Sequence, residues 1–196
     1  VRMARALSAE EFRSGETLGS LVGCSRSAVW KHVKALRALG ICVDAVPGLG
    51  YRLVRPLELL DAALIRARLD VGASSRLRGL AIKAHTDSTN NCLQRRPVAR
   101  QHAMVVLAEY QTAGRGRRGR QWVSPFGHNL YLSVGWRFDT GPAGLGCLPL
   151  VIAVAACRSL QRLGLQGHGI KWPNDLLHGG RKLGGCLVEV KGNARG

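Results

Sequence analysis

Between positions 114 and 120 the chain reads Gly-Arg-Gly-Arg-Arg-Gly-Arg. Glycines leave a backbone free to fold over a ligand, and arginines supply planar forks for phosphate oxygens. That combination suits an enzyme that handles a nucleotide and then shields a reactive intermediate from water. The segment also spells G-x-G-x-x-G, so a dinucleotide-binding turn has to be weighed. Such a turn needs a helix starting inside the motif, with its N-terminus on the pyrophosphate. Here the continuation is Gln121-Trp122-Val123-Ser124-Pro125-Phe126-Gly127, which cannot stay helical, and arginines stand where small residues are needed. The dinucleotide reading fails on context. A basic surface loop touching nucleic acid remains the bland alternative.

Three other segments carry chemistry. Asp87-Ser88-Thr89-Asn90 gathers hydroxyl and amide groups able to hold a small polar ring, though by itself it also fits a helix N-cap. Lys171-Trp172-Pro173-Asn174-Asp175 puts a cation, an aromatic plate and two Asx groups together, and alone it reads as a turn. Arg181-Lys182-Leu183-Gly184-Gly185 places a lysine before a glycine pair, where a lysine is ordinarily just solvated. The cysteines at 24, 42, 92, 147, 157 and 186 are scattered. None forms a C-x-x-C pair or stands at a zinc spacing from a histidine, so reduced thiols and no metal held by the chain are expected.

Two modules must position these residues. In the first, Thr17–Val22 reads as a short helix broken by Gly23-Cys24-Ser25, and Ser25 offers an N-cap to a second helix running to about Leu39. Val29, Val33 and Leu36 make the apolar face of that helix, and Gly40 closes it. Arg26, Ser27, Trp30, Lys31 and Lys34 lie on its other faces. Strand patterns at Ile41–Val46 and Tyr51–Val54 flank Pro47-Gly48-Leu49-Gly50. Helix, turn, helix and glycine-rich hairpin is the order of a winged helix-turn-helix, and a polar basic second helix is what major-groove entry needs. A local capping box at Ser8-Ala9-Glu10-Glu11 would start a helix there. The winged layout instead ends a first helix within Val1–Leu7 and makes Glu11–Ser14 loop, and the layout is preferred.

Leu57–Leu69 reads as a linker helix with Leu57, Leu60, Leu64 and Ile65 on one side. Beyond it, Met104–Tyr110, Asn129–Trp136 and Cys186–Val190 are strand-like, and Pro142–Leu163 carries a long apolar helix around Leu150, Val151, Val154 and Leu160. The expectation is an α+β protein: a winged module over 1–56, a linker over 57–79 and a mixed-sheet domain over 80–196. A formal charge of +17 attracts polyanions, whether nucleic acid, nucleotide phosphates or an acidic protein. No charged-then-apolar leader opens the chain, and Leu145–Cys157, its longest apolar run, is too short to span a bilayer. The chain reads as cytoplasmic, with no membrane partner.

Together, in this order and spacing, the motifs closely resemble the biotin–protein ligases: Asp87–Asn90, Ala108–Arg120, Trp122, Ser124–Gly127, Asn129–Ser133, Lys171–Asp175 and Arg181–Gly185. Ser25–His32 and Val46–Tyr51 match the bifunctional, repressor-type members. The resemblance implies a ligase domain similar to class II aminoacyl-tRNA synthetases. It implies joining of biotin to ATP as biotinyl-5′-AMP, with Mg2+ on the phosphates, and transfer of biotin to a lysine of a biotin carboxyl carrier protein. By motif, Ser88, Thr89, Asn90 and Gln111 would bind the ureido head. Arg115, Gly116 and Arg117 would close over biotin and the acyl-phosphate. Lys182, beside Gly185, would reach the biotin carboxylate and the α-phosphate, making Lys182, Arg115 and Arg117 the catalytic set. Arg118 and Arg120 would contact phosphates, Trp122 would wall the pocket, and Asn174 and Asp175 would fix the phosphate or metal side. Arg26, Ser27, Trp30, Lys31 and Lys34 would meet operator DNA, with the adenylate promoting a homodimer. The resemblance also implies further ligase sheet and an SH3-like barrel after Gly196, so the chain as given is expected to be poorly soluble or partly unfolded, to bind biotin weakly if at all and to fail to biotinylate a carrier peptide. A biotin-sensing regulator without ligase activity is the alternative function.

Overall fold

In the computed structural model, residues 1–139 and 142–191 are described. They divide into two compact units: 1–114 with 122–136, and 115–121 with the residues from 137 on.

The first unit starts with α1 (Arg2–Ala6), α2 (Gly15–Val22) and α3 (Arg26–Ala38). Ser14 caps α2 by accepting from the Thr17 amide, and Ser25 caps α3 by accepting from the Ala28 amide, each satisfying an amide that has no partner within its helix. Gly23, at φ 74°, ends α2. Leu18, Val29 and Val33 lose essentially all solvent contact, and Met3, Leu7, Leu36, Ile41, Val43 and Leu53 complete the core around them. Strands β1 (Val43–Val46) and β2 (Gly50–Leu53) form the antiparallel wing. The Arg13 and Tyr51 amides each donate to the other's carbonyl at 2.9 Å. Gly50 permits that approach: at φ 108°, a Cβ on it would sit 2.2 Å from the Arg13 carbonyl oxygen. The Ser8 hydroxyl does accept from the Glu10 and Glu11 amides, but only as a turn, and the winged layout prevails over the capping box.

The linker departs from expectation. Helix is confined to α4 (Ala62–Ala67), followed by α5 (Val71–Arg76). Asp61 caps α4 by accepting from the Ala63 and Leu64 amides, so the helix begins after it. Residues 57–60 are irregular because they pack: Leu57 and Leu59 lie against the winged core, and the Leu60 amide donates to Glu109 Oε1 at 2.7 Å. Leu64 is exposed, so the expected one-sided leucine stripe does not form.

The same unit holds a three-stranded mixed sheet, with β3 (Gly79–Lys83) parallel to β4 (Met104–Ala108) and β4 antiparallel to β5 (Tyr131–Gly135). Helix α6 (Thr89–Gln94) packs on β4 and β5, placing Leu93 against Met104 and Val106.

The second unit contains α7 (Leu148–Arg162) and an antiparallel meander of β6 (His168–Lys171), β7 (Asp175–His178) and β8 (Arg181–Gly185). The strand expected at Cys186–Val190 falls earlier. Gly179 and Gly180, both at positive φ, turn the chain so tightly that Arg181 pairs with His178 and the ladder ends at Gly185. The long helix expected from Pro142 is divided. Residues 142–145 make a 3₁₀ turn, and the α-helix starts only at Leu148, with Pro149 in its first turn, where a missing N–H costs no bond. The expected end of the chain lies outside the described residues. Among these, no helix is long and apolar enough to cross a membrane.

Candidate functional site

In the first unit, Ser88, Thr89, Asn90 and Gln111 come together from two segments 20 residues apart. Residues 86–87 and 110–113 run side by side: the Thr86 amide donates to the Tyr110 carbonyl, the Thr112 amide to that of Thr86 and the Ala113 amide to that of Asp87. Gln111 Oε1 thereby accepts from the Thr89 amide at 2.9 Å and the Thr89 hydroxyl at 3.2 Å. Its amide nitrogen donates to the Ser124 hydroxyl, which donates to the Trp122 carbonyl. From β5 the buried Ser133 hydroxyl lies 2.8 Å from that of Thr89 and donates to Asn90 Oδ1. Ser88, Thr89, Ser124 and Ser133 are all buried. The result is a cross-linked nest of neutral donors and acceptors, suited to a neutral polar ring. Gly114 floors it: a Cβ there would lie 2.6 Å from the Trp122 carbonyl oxygen and 2.8 Å from the Ser124 hydroxyl.

In the second unit the cations gather. The Gly116 amide closes the Gly/Arg loop on the Arg120 carbonyl at 2.7 Å, with Arg118 at φ 58°. Arg117 donates to Asn174 Oδ1 at 2.9 Å. Asn174 is buried and its amide nitrogen donates to the Cys186 carbonyl. Lys182 Nζ lies 2.8 Å from Asp175 Oδ1, and Arg115 lies 3.1 Å from Glu189. Gly185 makes room for the lysine pair, since a Cβ there would sit 3.1 Å from Asp175 Oδ1 and 3.3 Å from Lys182 Cε. The 115–117, 174–175 and 182–185 segments thus form one charged cluster. Arg118 and Arg120 are exposed. A cavity of about 270 Å³ beside the cluster is lined by Arg117, Pro149, Trp172, Pro173, Cys186 and Leu187, among others. Burial raises the Cys186 thiol above its ordinary pKa, which disfavours the thiolate.

Trp172 lines that cavity, and the Trp122 carbonyl belongs to the neutral nest. Three site members escape sequence reasoning: Ser133 and Ser124 fall inside the family-like motifs without a local signal of burial, and Glu189 carries no signal at all. Among the described residues no group of three or more His, Cys, Asp or Glu side chains could hold a metal ion.

On α3, Arg26, Ser27, Trp30, Lys31 and Lys34 are all exposed while Val29, Val33 and Leu36 are buried. Lys34 Nζ lies 5.4 Å from the centre of the Trp30 ring.

The Biotin/lipoate A/B protein ligase family model matches residues 83–196. The chain belongs to that family. An HTH-domain model matches residues 2–52, so a helix-turn-helix domain precedes the ligase family's α+β fold. The chain is 48% identical over 182 residues to the bifunctional ligase/repressor BirA of Salmonella typhimurium, covering 93% of this chain and 55% of that protein. It is 45% identical to BirA of Escherichia coli, over 98% of this chain and 58% of the relative. The chain therefore spans about half the length of the curated relatives it matches. Among solved structures it resembles the Aquifex aeolicus biotin protein ligase in complex with biotin and ATP, with 32% identity and a TM-score of 0.51 over 58% of this chain and 47% of that one.

Proposed function

We propose that this member of the ligase family activates biotin with ATP and transfers it to a lysine of a biotin carboxyl carrier protein. The observation that carries the reading is the charged cluster: Arg117, Asn174, Asp175 and Lys182, from motifs up to 65 residues apart in sequence, are joined by contacts of 2.8 and 2.9 Å. A carboxylate oxygen of biotin attacks the α-phosphorus of ATP, and the bond to the bridging oxygen breaks to release pyrophosphate. Two anions must meet, so fixed positive charge lowers the barrier most. Lys182, Arg115 and Arg117 supply it, exchanging Asp175, Glu189 and Asn174 for substrate oxygens. The carrier's lysine amine then attacks the acyl carbon, AMP leaves and the amine's proton passes to solvent.

Ser88, Thr89, Asn90 and Gln111 hold the ureido ring, Gly116 lets the loop close, and Arg118 and Arg120 meet the outer phosphates. Mg2+ would accompany the ATP phosphates, with Asn174 and Asp175 on the phosphate or metal side. The mixed-sheet domain would follow the class II aminoacyl-tRNA synthetase plan. Operator DNA would be met by Arg26, Ser27, Trp30, Lys31 and Lys34, and biotinyl-5′-AMP would promote a homodimer that represses transcription.

Biotin-dependent exchange of pyrophosphate into ATP tests the adenylation step. Exchange that requires biotin supports it. Tight biotin binding without exchange would leave a regulator that senses biotin and does not ligate.

A further inference from the structure

Helix α6 carries two of the ureido-side residues, Thr89 and Asn90, yet it is only six residues long. Such a helix is marginal unless it is held. It also forgoes its usual cap: Ser88 stands at the N-cap position, but its side chain caps nothing, and the Thr89 hydroxyl is turned to Gln111 and Ser133. Leu93 packs the body of the helix on β4 and β5 and Gln111 accepts from its first amide, and a further contact spans its two ends.

Asp87 and Arg95 make that contact. Asp87 precedes the N-cap, and Arg95 is the C-cap residue. Arg95 donates to both Asp87 carboxylate oxygens at 2.8 Å, the paired geometry in which an arginine–carboxylate contact is strongest. Asn91 Nδ2 donates to Asp87 Oδ2 at 2.8 Å and the Thr86 hydroxyl to Oδ1 at 3.0 Å. The Arg95 guanidinium, followed by Asn91, holds the Asp87 carboxyl far below the usual carboxylate range. Two donors on each oxygen fill the carboxylate's capacity, so Asp87 has none left for a ligand. Its own carbonyl accepts from the Ala113 amide, tying the clamp to the strap that carries Gln111.

We propose that Asp87 and Arg95 are positioning residues that set biotin affinity without touching biotin, by clamping α6 end to end and holding the Thr89–Gln111 pair in register. This rests on the biotin reading above. The ion pair is partly exposed, with Arg95 at 60% and Asp87 at 35% side-chain accessibility, so its own contribution to stability is small. Its effect falls on geometry.

The test compares the unsubstituted protein with Asp87→Asn, Arg95→Gln, Arg95→Lys and the Asp87→Asn/Arg95→Gln double variant. Biotin calorimetry needs no ATP, and pyrophosphate-exchange kinetics run beside it. Each single variant is expected to raise the biotin Kd and KM by about tenfold or more while kcat and the ATP KM stay within about threefold, the pattern of lost ground-state binding. Arg95→Lys should recover little, because it keeps the charge and loses the fork. The double variant should be no worse than the poorer single, as expected of one coupled unit. Arg95 is exposed, so its variants report even where Asp87→Asn fails to fold. A biotin Kd within about threefold of the parent in Arg95→Gln, or kcat falling in step with KM, overturns the clamp. Loss of exchange with biotin binding intact overturns only the ligase reading, and a parent that binds no biotin overturns both.

Discussion

The neutral nest and the charged cluster are built on opposite principles. Thr89, Ser124 and Ser133 are buried and Gln111 half-buried, and their polar atoms are uncharged and bonded to one another. Around Arg115, Arg117 and Lys182 the side chains are long, charged and exposed, and their contacts include Glu189, Asn174 and Asp175. A neutral ring is recognised by fixed geometry, and loosely set hydroxyls would lose it. A reacting pair of anions needs charge that can leave one partner for another, and buried fixed cations would cost more in desolvation than they return. Under the proposed function, recognition would rest on rigidity and chemistry on exchangeable charge.

The largest effect should come from the charged side. Lys182→Ala should slow adenylation by roughly 10²–10³, the scale of one lost charge-stabilising donor. Pyrophosphate exchange at saturating biotin measures it, and a rate near the parent's would remove Lys182 from the chemistry.

Next comes the floor of the nest. Gly114→Ala must push aside a backbone carbonyl and the Ser124 hydroxyl, so overpacking should cost about 1–3 kcal/mol of stability. Biotin affinity should fall with it, while the rate at saturating biotin holds. Chemical denaturation and biotin calorimetry on the same sample check both halves.

Part of this contrast was legible in the sequence. Gly114–Arg120 stands out by composition, whereas Asp87–Asn90 and Arg181–Gly185, by themselves a cap and a solvated lysine, gain a chemical reading only from the family resemblance; the cap at Ser25 and the buried face of α3 follow from residue type and periodicity. What was not legible depended on contacts between distant segments. Nothing local marks Ser133 as the partner of Thr89, Glu189 as that of Arg115, or Glu109 as the acceptor that keeps residues 57–60 out of the linker helix. The Cys186–Val190 segment has strand composition, yet the Gly179-Gly180 turn sets the register and uses the ladder up before that segment begins.

A smaller effect should come from Glu109. Burial raises its carboxyl above the ordinary value of 4.5. The folded state then binds this proton more tightly than the unfolded state, so the Glu109 contribution declines as pH rises from 4.5 through the raised folded value. Asp87, depressed by Arg95, acts in the opposite sense, losing its contribution as pH falls below the ordinary carboxylate value. In Glu109→Gln the amide oxygen can still accept from Leu60, so the decline above 4.5 should flatten relative to the parent. Unfolding free energies across pH 4–8 test this, and parallel curves for the two proteins would refute it.

The smallest effects belong to the winged module, where single contacts to DNA are screened. Lys31→Ala and Lys34→Ala should each reduce the slope of log affinity against log salt by about one unit. Unchanged slopes in both would place the DNA surface off α3.

The most direct test of the division between rigid recognition and mobile charge is a full Michaelis analysis of pyrophosphate exchange for Ser133→Ala beside Lys182→Ala. Removing the Ser133 hydroxyl should raise the biotin KM about tenfold with kcat within about threefold, and removing the Lys182 ammonium should lower kcat by roughly 10² or more with a far smaller change in KM. A Ser133→Ala enzyme that loses kcat as steeply as Lys182→Ala would contradict that division.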